Sequence, residues 1–359
     1  MRALRAGVRR LRAPALFLLV GELAARLVAP APAPWMWPQT RFRADPTLGF
    51  RMQPNQKSYT AEAPFHTNSL GLRGREPATA KPSGRRRVLI LGDSIASGFG
   101  VAEKDTFPRR LEGLLNAVEP RRYEVLNAGV PSYNTAQQVG WLVEQGLALG
   151  PDIVVLALYW NDIHDKAGIA VDGEGRLVEA HTSGAPSLLH SRAAYRVRNW
   201  VKRSRLFYMV VDRSRRLVMR YKPPLQRETQ LAVLEGGEHP RVERGWEAVE
   251  AHLARFAAVC RARGIRPLVL ILPMPQQLGE NYPRVRYQSV ARRICDRHSL
   301  PWHDLLPAFE KAYRDHTSLF LAYDGDHPNN EGHALIAGEL FAALRFHADL
   351  HSGHLCLLP

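Results

Sequence analysis

The stretch Val88-Leu89-Ile90-Leu91-Gly92-Asp93-Ser94-Ile95-Ala96-Ser97-Gly98 sets the expectation for the whole chain. Its apolar run between Arg87 and Gly92 shows no alternation, the pattern of a strand buried on both faces in a parallel sheet. Gly92 permits a sharp turn, and Ser94 falls just past the strand's carboxyl end. Loops converge there in open parallel sheets, and the next helix points its N-terminus at them. On these residues alone Ser94 fits a nucleophile or a plain helix N-cap.

The far end of the chain separates the two. Tyr323-Asp324-Gly325-Asp326-His327-Pro328-Asn329 supplies an acid and a histidine with two residues between them, followed by a helical stretch from Asn330 to Leu344. A serine hydroxyl is a poor nucleophile until a base takes its proton, and the base needs a third group to fix its tautomer and steady its charge. Asp324 and His327 are the right types at close spacing. His303, His316 and His333 lack the acid-x-x-His-Pro setting and rank well below His327 as bases.

Four blocks, Gly92-Asp93-Ser94, Asn127-Ala128-Gly129-Val130-Pro131-Ser132, Asn161-Asp162 and Asp324-x-x-His327-Pro-Asn, together resemble the SGNH hydrolases, or GDSL esterases and lipases, over residues 85 to 345. The resemblance implies Ser94 as nucleophile, His327 as base and Asp324 as its orienting acid. It also implies an oxyanion hole made by the Ser94 backbone N–H, the Asn161 side-chain amide and a backbone N–H from Ser132 or Gly129. Two positions depart from the family pattern: Tyr159 stands where the third block has glycine, and Ser132 where the second does. Asp93 and Asp162 are expected to hold neighbouring groups by hydrogen bonds rather than to react. Neither a metal nor an organic cofactor is implied.

Alternation of strands and helices predicts a three-layer α/β/α domain over 85–348, with a mostly parallel sheet of about five strands. The expected strands are 88–92, 123–127, 153–158, 267–272 and a short one near 300–304. Helices are expected from 106, with Leu111, Leu114, Leu115 and Val118 as apolar face, from Asn134 or Thr135 to Leu149, and over 246–263, 284–298 and 306–315. Residues 39–84, rich in Pro, Gly, Asn and Thr, read as a small β-rich lead-in in which Asn68, Ser69 and Arg73 take turn and surface roles. Lys81–Arg87 reads as a linker. Between 163 and 243 the rhythm breaks into a basic, helical insertion with a turn at 171–175, suited to a substrate-selecting cap.

At the amino terminus, Arg2, Arg5, Arg9, Arg10 and Arg12 precede an apolar stretch from Ala13 to Ala29 and a Pro/Ala run, so 1–38 reads as a signal anchor or export signal. Glu22 and Arg26 stand four apart and could pair on a helix. An amphipathic surface helix is the alternative; if the segment spans, the arginines stay cytoplasmic and the catalytic domain is expected outside the cytoplasm, periplasmic or extracellular, with the membrane as partner. Lys+Arg of 49 against Asp+Glu of 34 leaves a net charge of +15. With no nucleic-acid motif, that charge points to anionic lipid or polysaccharide, and no nucleic-acid partner is expected. Cys260, Cys295 and Cys356 show no metal spacing. Cys260 and Cys295 are expected as buried thiols, or as a disulfide if exported.

The functional expectation is a serine ester hydrolase that removes an acyl group, O-acetyl among them, from a carbohydrate or lipid ester, with cell-envelope polysaccharide as the candidate substrate. A polysaccharide O-acyltransferase using the same triad and a non-catalytic glycan-binding module are the alternatives.

Overall fold

The computed structural model describes residues 16–28, 36–78, 80–164, 168–179, 192–201, 203–210, 213, 232–234, 239–278, 286–321, 324 and 326–352. The chain divides into two compact units, one of Met1–Trp37 with Pro186–Arg227 and one of Pro38–Ala185 with Glu228–Pro359.

The larger unit is an α/β fold on a five-stranded sheet. Its strands β5 (Arg86–Gly92), β6 (Tyr123–Gly129), β7 (Ile153–Leu158), β10 (Arg266–Ile271) and β11 (Trp302–Asp304) lie in the order β11-β10-β7-β5-β6. Every pairing is parallel. All six residues of β7 are buried at the middle of the sheet, as an unbroken apolar run requires. The helices are α1 (Ser94–Ser97), α2 (Phe107–Val118), α3 (Thr135–Glu144), α4 (Pro240–Ala262), α5 (Arg286–Arg297), α6 (Leu306–Arg314) and α7 (Asn330–Ser352).

Local chemistry explains several helix starts. Asn134 caps α3 in a capping box with Gln137, and α3 stops at Glu144, the expected continuation to Leu149 being a separate 3-10 turn. Pro108 and Pro240 sit in first turns, where a missing N–H costs nothing. Pro240 moves the start of α4 six residues ahead of the expected Trp246. Of the four residues expected as the apolar face of α2, Leu111 and Leu115 reach the core, as does Phe107 of the first turn, whereas Leu114 and Val118 are exposed.

The run Arg85-Arg86-Arg87 is not all linker. Arg87 is inside β5 and 1% exposed, paired with Glu124 of β6 at 2.8 Å, while its backbone N–H donates to Asp152 at 2.6 Å. A buried guanidinium persists only when paired and hydrogen-bonded.

The lead-in forms two hairpins, β1 (Phe42–Asp45) with β2 (Gly49–Met52) and β3 (Lys57–Thr60) with β4 (Ala63–His66). The first is tied to the segment after β6 and to the start of α3 through Tyr133, whose hydroxyl donates to the Phe50 carbonyl at 2.6 Å, and Gln137, whose amide donates to that of Leu48 at 2.7 Å. A third hairpin, β8 (Ile169–Val171) with β9 (Leu177–Glu179), encloses the expected 171–175 turn. Cys260 and Cys295 are buried free thiols, pushed up to about 12 by burial; Cys356 lies outside the described residues.

In the smaller unit, 16–28 is helical, as are Arg192–Val201 and 205–210. Of the insertion expected between 163 and 243, residues 165–167, 180–191, 202, 211–212, 214–231 and 235–238 lie outside the described residues. Glu22 and Arg26 do pair, at 2.8 Å. Glu22 also accepts from the Ser204 hydroxyl and from the backbone N–H groups of Arg205 and Leu206, so a carboxylate in an apolar segment caps the 205–210 helix. Among the described residues no helix is long and apolar enough to cross a membrane.

Candidate active site

Two glycines bring Ser94 to the sheet. Gly92 and Gly129 are register partners at the ends of β5 and β6. A Cβ on Gly92 would sit 2.5 Å from the Ala96 Cβ, and one on Gly129 would sit 2.3 Å from the Ser97 backbone nitrogen. Only hydrogen there lets α1 lie directly on the strand ends. Asp93 caps α1 by accepting from the Ile95 N–H at 2.8 Å. Ser94 itself is therefore the first helical residue and not the cap.

The structure joins the three predicted side chains. His327 Nε2 lies 2.8 Å from Ser94 Oγ, and His327 Nδ1 lies 2.7 Å from Asp324 Oδ2. With Nδ1 facing a carboxylate, the proton belongs on Nδ1 and Nε2 is left to accept from the serine hydroxyl. The other Asp324 oxygen accepts from the backbone N–H groups of Asp326 and His327, which holds the acid in place. Burial alone would lower the His327 pKa; the hydrogen bond and charge of Asp324, with the charges of Asp93 and Asp326, outweigh it and hold the imidazole above its ordinary value. Asp324 goes down, because the bond to His327 overrides the opposite effect of burial. Phe99 packs on the imidazole, ring centroids 4.5 Å apart.

The predicted oxyanion donors sort themselves by what they already bond. The Gly129 N–H donates to Asn127 Oδ1 at 3.0 Å, so it is occupied, and the residue's part is the close approach of α1. Ser132 has φ +70°, the left-handed region that glycine adopts without strain, which accounts for the glycine expected at this position. The Asn161 side chain donates from Nδ2 to Asp93 Oδ2 at 3.0 Å, leaving its second amide hydrogen available. Asp93 thus ties the Asn161 amide to the start of α1. Asp162 accepts from Gln138 Nε2 and from the Tyr159 N–H, each at 2.8 Å, and pins the turn after β7.

Tyr159 occupies its glycine position with the phenol buried. Its pKa is raised well above the ordinary value, by burial first and then by the charges of Asp326 and Asp93. Asp326 is raised too, chiefly by burial. The competing histidines are elsewhere: His303 faces Glu339 at 3.0 Å, His316 follows α6, and buried His333 accepts from the Phe107 N–H and is driven down to about 3, mainly by burial.

Sequence reasoning also missed Arg73. Instead of a surface role, it is buried and donates to the carbonyls of Ser97, Gly98, Val101 and Pro64. Its guanidinium lies 4.5 Å from the Phe65 ring centroid, and its backbone N–H donates to the Asn127 carbonyl. It clamps the carboxyl end of the helix whose first residue is Ser94. Burial lowers it to about 9, which keeps it charged at neutral pH. Nothing in the local pattern marks it, because its acceptors are backbone atoms distant in sequence.

A five-stranded parallel α/β sheet with a serine, histidine and aspartate hydrogen-bonded in series at its carboxyl edge defines a serine-type hydrolase architecture. The model of the GDSL-like lipase/acylhydrolase family matches residues 90–335, and the chain belongs to that family; it is an ester-bond hydrolase. Comparison with the curated proteins gives no match. Similar solved structures include LAE5, an alpha/beta hydrolase enzyme from the metagenome of Lake Arreo, at 19% identity over 72% of this chain and 94% of that one, TM-score 0.44. The acetylxylan esterase Axe2 of Geobacillus stearothermophilus is similar at 18% identity over the same shares, TM-score 0.44. The psychrotrophic esterase EstA of Pseudoalteromonas sp. is 13% identical over 74% of this chain and 99% of that one, TM-score 0.42.

Proposed function

We propose that the protein cleaves acyl esters of carbohydrates through an acyl-enzyme on Ser94. The Ser94 Oγ attacks the ester carbonyl carbon while its proton passes to His327 Nε2, and the carbonyl oxygen becomes the oxyanion. The Ser94 and Ser132 N–H groups and the free hydrogen of the Asn161 amide are the donors aimed at it, each worth roughly 3 kcal/mol in such sites. Collapse breaks the carbon–oxygen bond to the alcohol, which leaves with the proton from His327. Water then attacks the acyl group, gives its proton to the same nitrogen, and releases the acid with Ser94 restored.

The observation that carries this reading is the unbroken series Ser94 Oγ, His327 Nε2, His327 Nδ1, Asp324 Oδ2 at 2.8 and 2.7 Å. A glycan-binding module without catalysis has no use for that alignment. The test is turnover of a chromogenic aryl acetate, with a phosphonate that traps reactive serines. Wild-type protein should release the chromophore and form one adduct at Ser94. Ser94→Ala should lose both while melting at the same temperature, and undiminished turnover by that variant rejects the mechanism.

The amino-terminal unit serves, on this reading, to hold the enzyme at a membrane, with the catalytic unit outside the cytoplasm. Supporting it are the exposed apolar side chains of 16–28, among them Leu16, Phe17, Leu23, Leu27 and Val28, and the internal satisfaction of Glu22.

A further inference from the structure

A cleft of about 640 Å³ opens beside the triad's edge of the sheet, between the start of α3, the turn after β7 and the first turns of α4. Among the described residues none of Ser94, Ser132, Asn161, Asp324 and His327 lines it, but two of its wall residues are chain neighbours of the site: Asn134 stands two residues after Ser132, and Asp162 directly after Asn161. The volume matches one or two sugar rings.

The lining is made for negative charge. Arg241 and Arg244 project from α4, are exposed, and have no ion-pair partner among the described residues. His164 and His252 stand with them. Among the described lining residues the one carboxylate, Asp162, is buried with its oxygens on Gln138 and Tyr159. At the floor is the N-terminus of α3, ten residues long, whose cap Asn134 satisfies the Gln137 N–H but leaves the Thr135 and Ala136 N–H groups to the cleft. An independent feature marks the same spot. Thr135 is 1% exposed, yet its buried hydroxyl has no hydrogen-bond partner. A buried hydroxyl left unsatisfied in a polar cleft wall is a donor kept for something that enters.

We infer that this cleft is a subsite for a carboxylate-bearing sugar of the substrate, the carboxylate meeting Arg241, Arg244, the Thr135 hydroxyl and the amino end of α3. The inference rests on the esterase reading and deepens it: the preferred substrate is an acylated acidic glycan, with a uronate ring in the cleft while the ester is cut at Ser94. Arginine suits the role because its fork of donors matches the two carboxylate oxygens.

The test uses the full chain and reads binding separately from turnover. Calorimetry with trigalacturonate and with neutral xylotriose should show the anionic trimer binding at least about tenfold tighter at low salt, a difference that raised ionic strength erodes. The Arg241→Gln/Arg244→Gln double variant should bring the two trimers within a few-fold of each other. Thr135→Val should weaken trigalacturonate alone by a few-fold. Aryl acetate turnover, which needs none of these groups, should stay at the wild-type rate in both variants. Acetylated oligogalacturonates should show the same preference in kcat/KM over acetylated xylo-oligosaccharides. Equal binding of the two trimers by the wild type, or an undiminished preference in the double variant, overturns the subsite. Loss of aryl acetate turnover in the wild type with the binding preference intact would instead overturn the esterase reading and leave the subsite standing.

Discussion

Gly129→Ala is the substitution that most directly probes how the fold holds Ser94. The added methyl would lie 2.3 Å from the Ser97 nitrogen, 2.7 Å from the Ala96 carbonyl carbon and 2.9 Å from the Ala96 Cβ. Ordinary contact begins about 1 Å further out, and two of the three obstacles are backbone. β6 is held on one side by β5 in register, so α1 has to lift. Overpacking of this kind costs about 1–3 kcal/mol, which in a domain of this size lowers the melting temperature by roughly 2–8 °C. Activity should suffer more, because lifting α1 carries Ser94 away from an imidazole now 2.8 Å distant, and a misplacement near 1 Å costs on the order of 100-fold. Gly113→Ala is the internal control: it is an exposed position of α2 with nothing within 4 Å of the new methyl, and should stabilise by about 0.5–1 kcal/mol with turnover unchanged. Melting curves and aryl acetate turnover on both variants decide the matter. A Gly129→Ala protein within twofold of wild-type activity and within 1 °C of its melting temperature would refute the claim that this glycine seats α1.

Two further outcomes follow from the geometry. Since His327 must be neutral to accept the serine proton and its pKa is held above 6.5, kcat/KM should fall as pH drops, with a midpoint above 6.5; Asp324→Asn should move that midpoint down and cut the rate roughly 10³- to 10⁴-fold. Stability runs the other way, because a raised folded-state pKa favours the folded protein below the unfolded value and that gain is lost as pH climbs through the folded one; a pH–rate profile whose acid limb lies below 6.5 contradicts the pairing. In the smaller unit, the full chain should sediment with vesicles containing anionic lipid, and Phe17→Glu/Leu27→Glu should reduce the bound fraction about tenfold or more; equal sedimentation of the two proteins would exclude 16–28 as the contact.

Much of this molecule could be read from local pattern. The apolar runs of β5 and β7 declare a buried parallel sheet because strands covered on both faces need no polar alternation. Ser94 and the Asp324/His327 pair were readable because each lies in a short segment where residue type and spacing state the chemistry. Element ends moved where a local competitor was overlooked, as with Pro240 at the start of α4 or the 3-10 turn that replaces the end of α3.

What the sequence by itself determined is thus the sheet, its edge and the three side chains that meet there. Tertiary structure alone decided which N–H groups remain free, since the Gly129 amide is spent on Asn127 and no spacing rule reveals an acceptor's occupancy. It likewise decided that Arg73 is buried under α1, and that Thr135, Arg241 and Arg244 share one cleft although more than a hundred positions separate the first from the other two. Hydrophobic patterning is set by neighbours along the chain, whereas hydrogen-bond partnership and charge clustering depend on which surfaces the folded chain brings together.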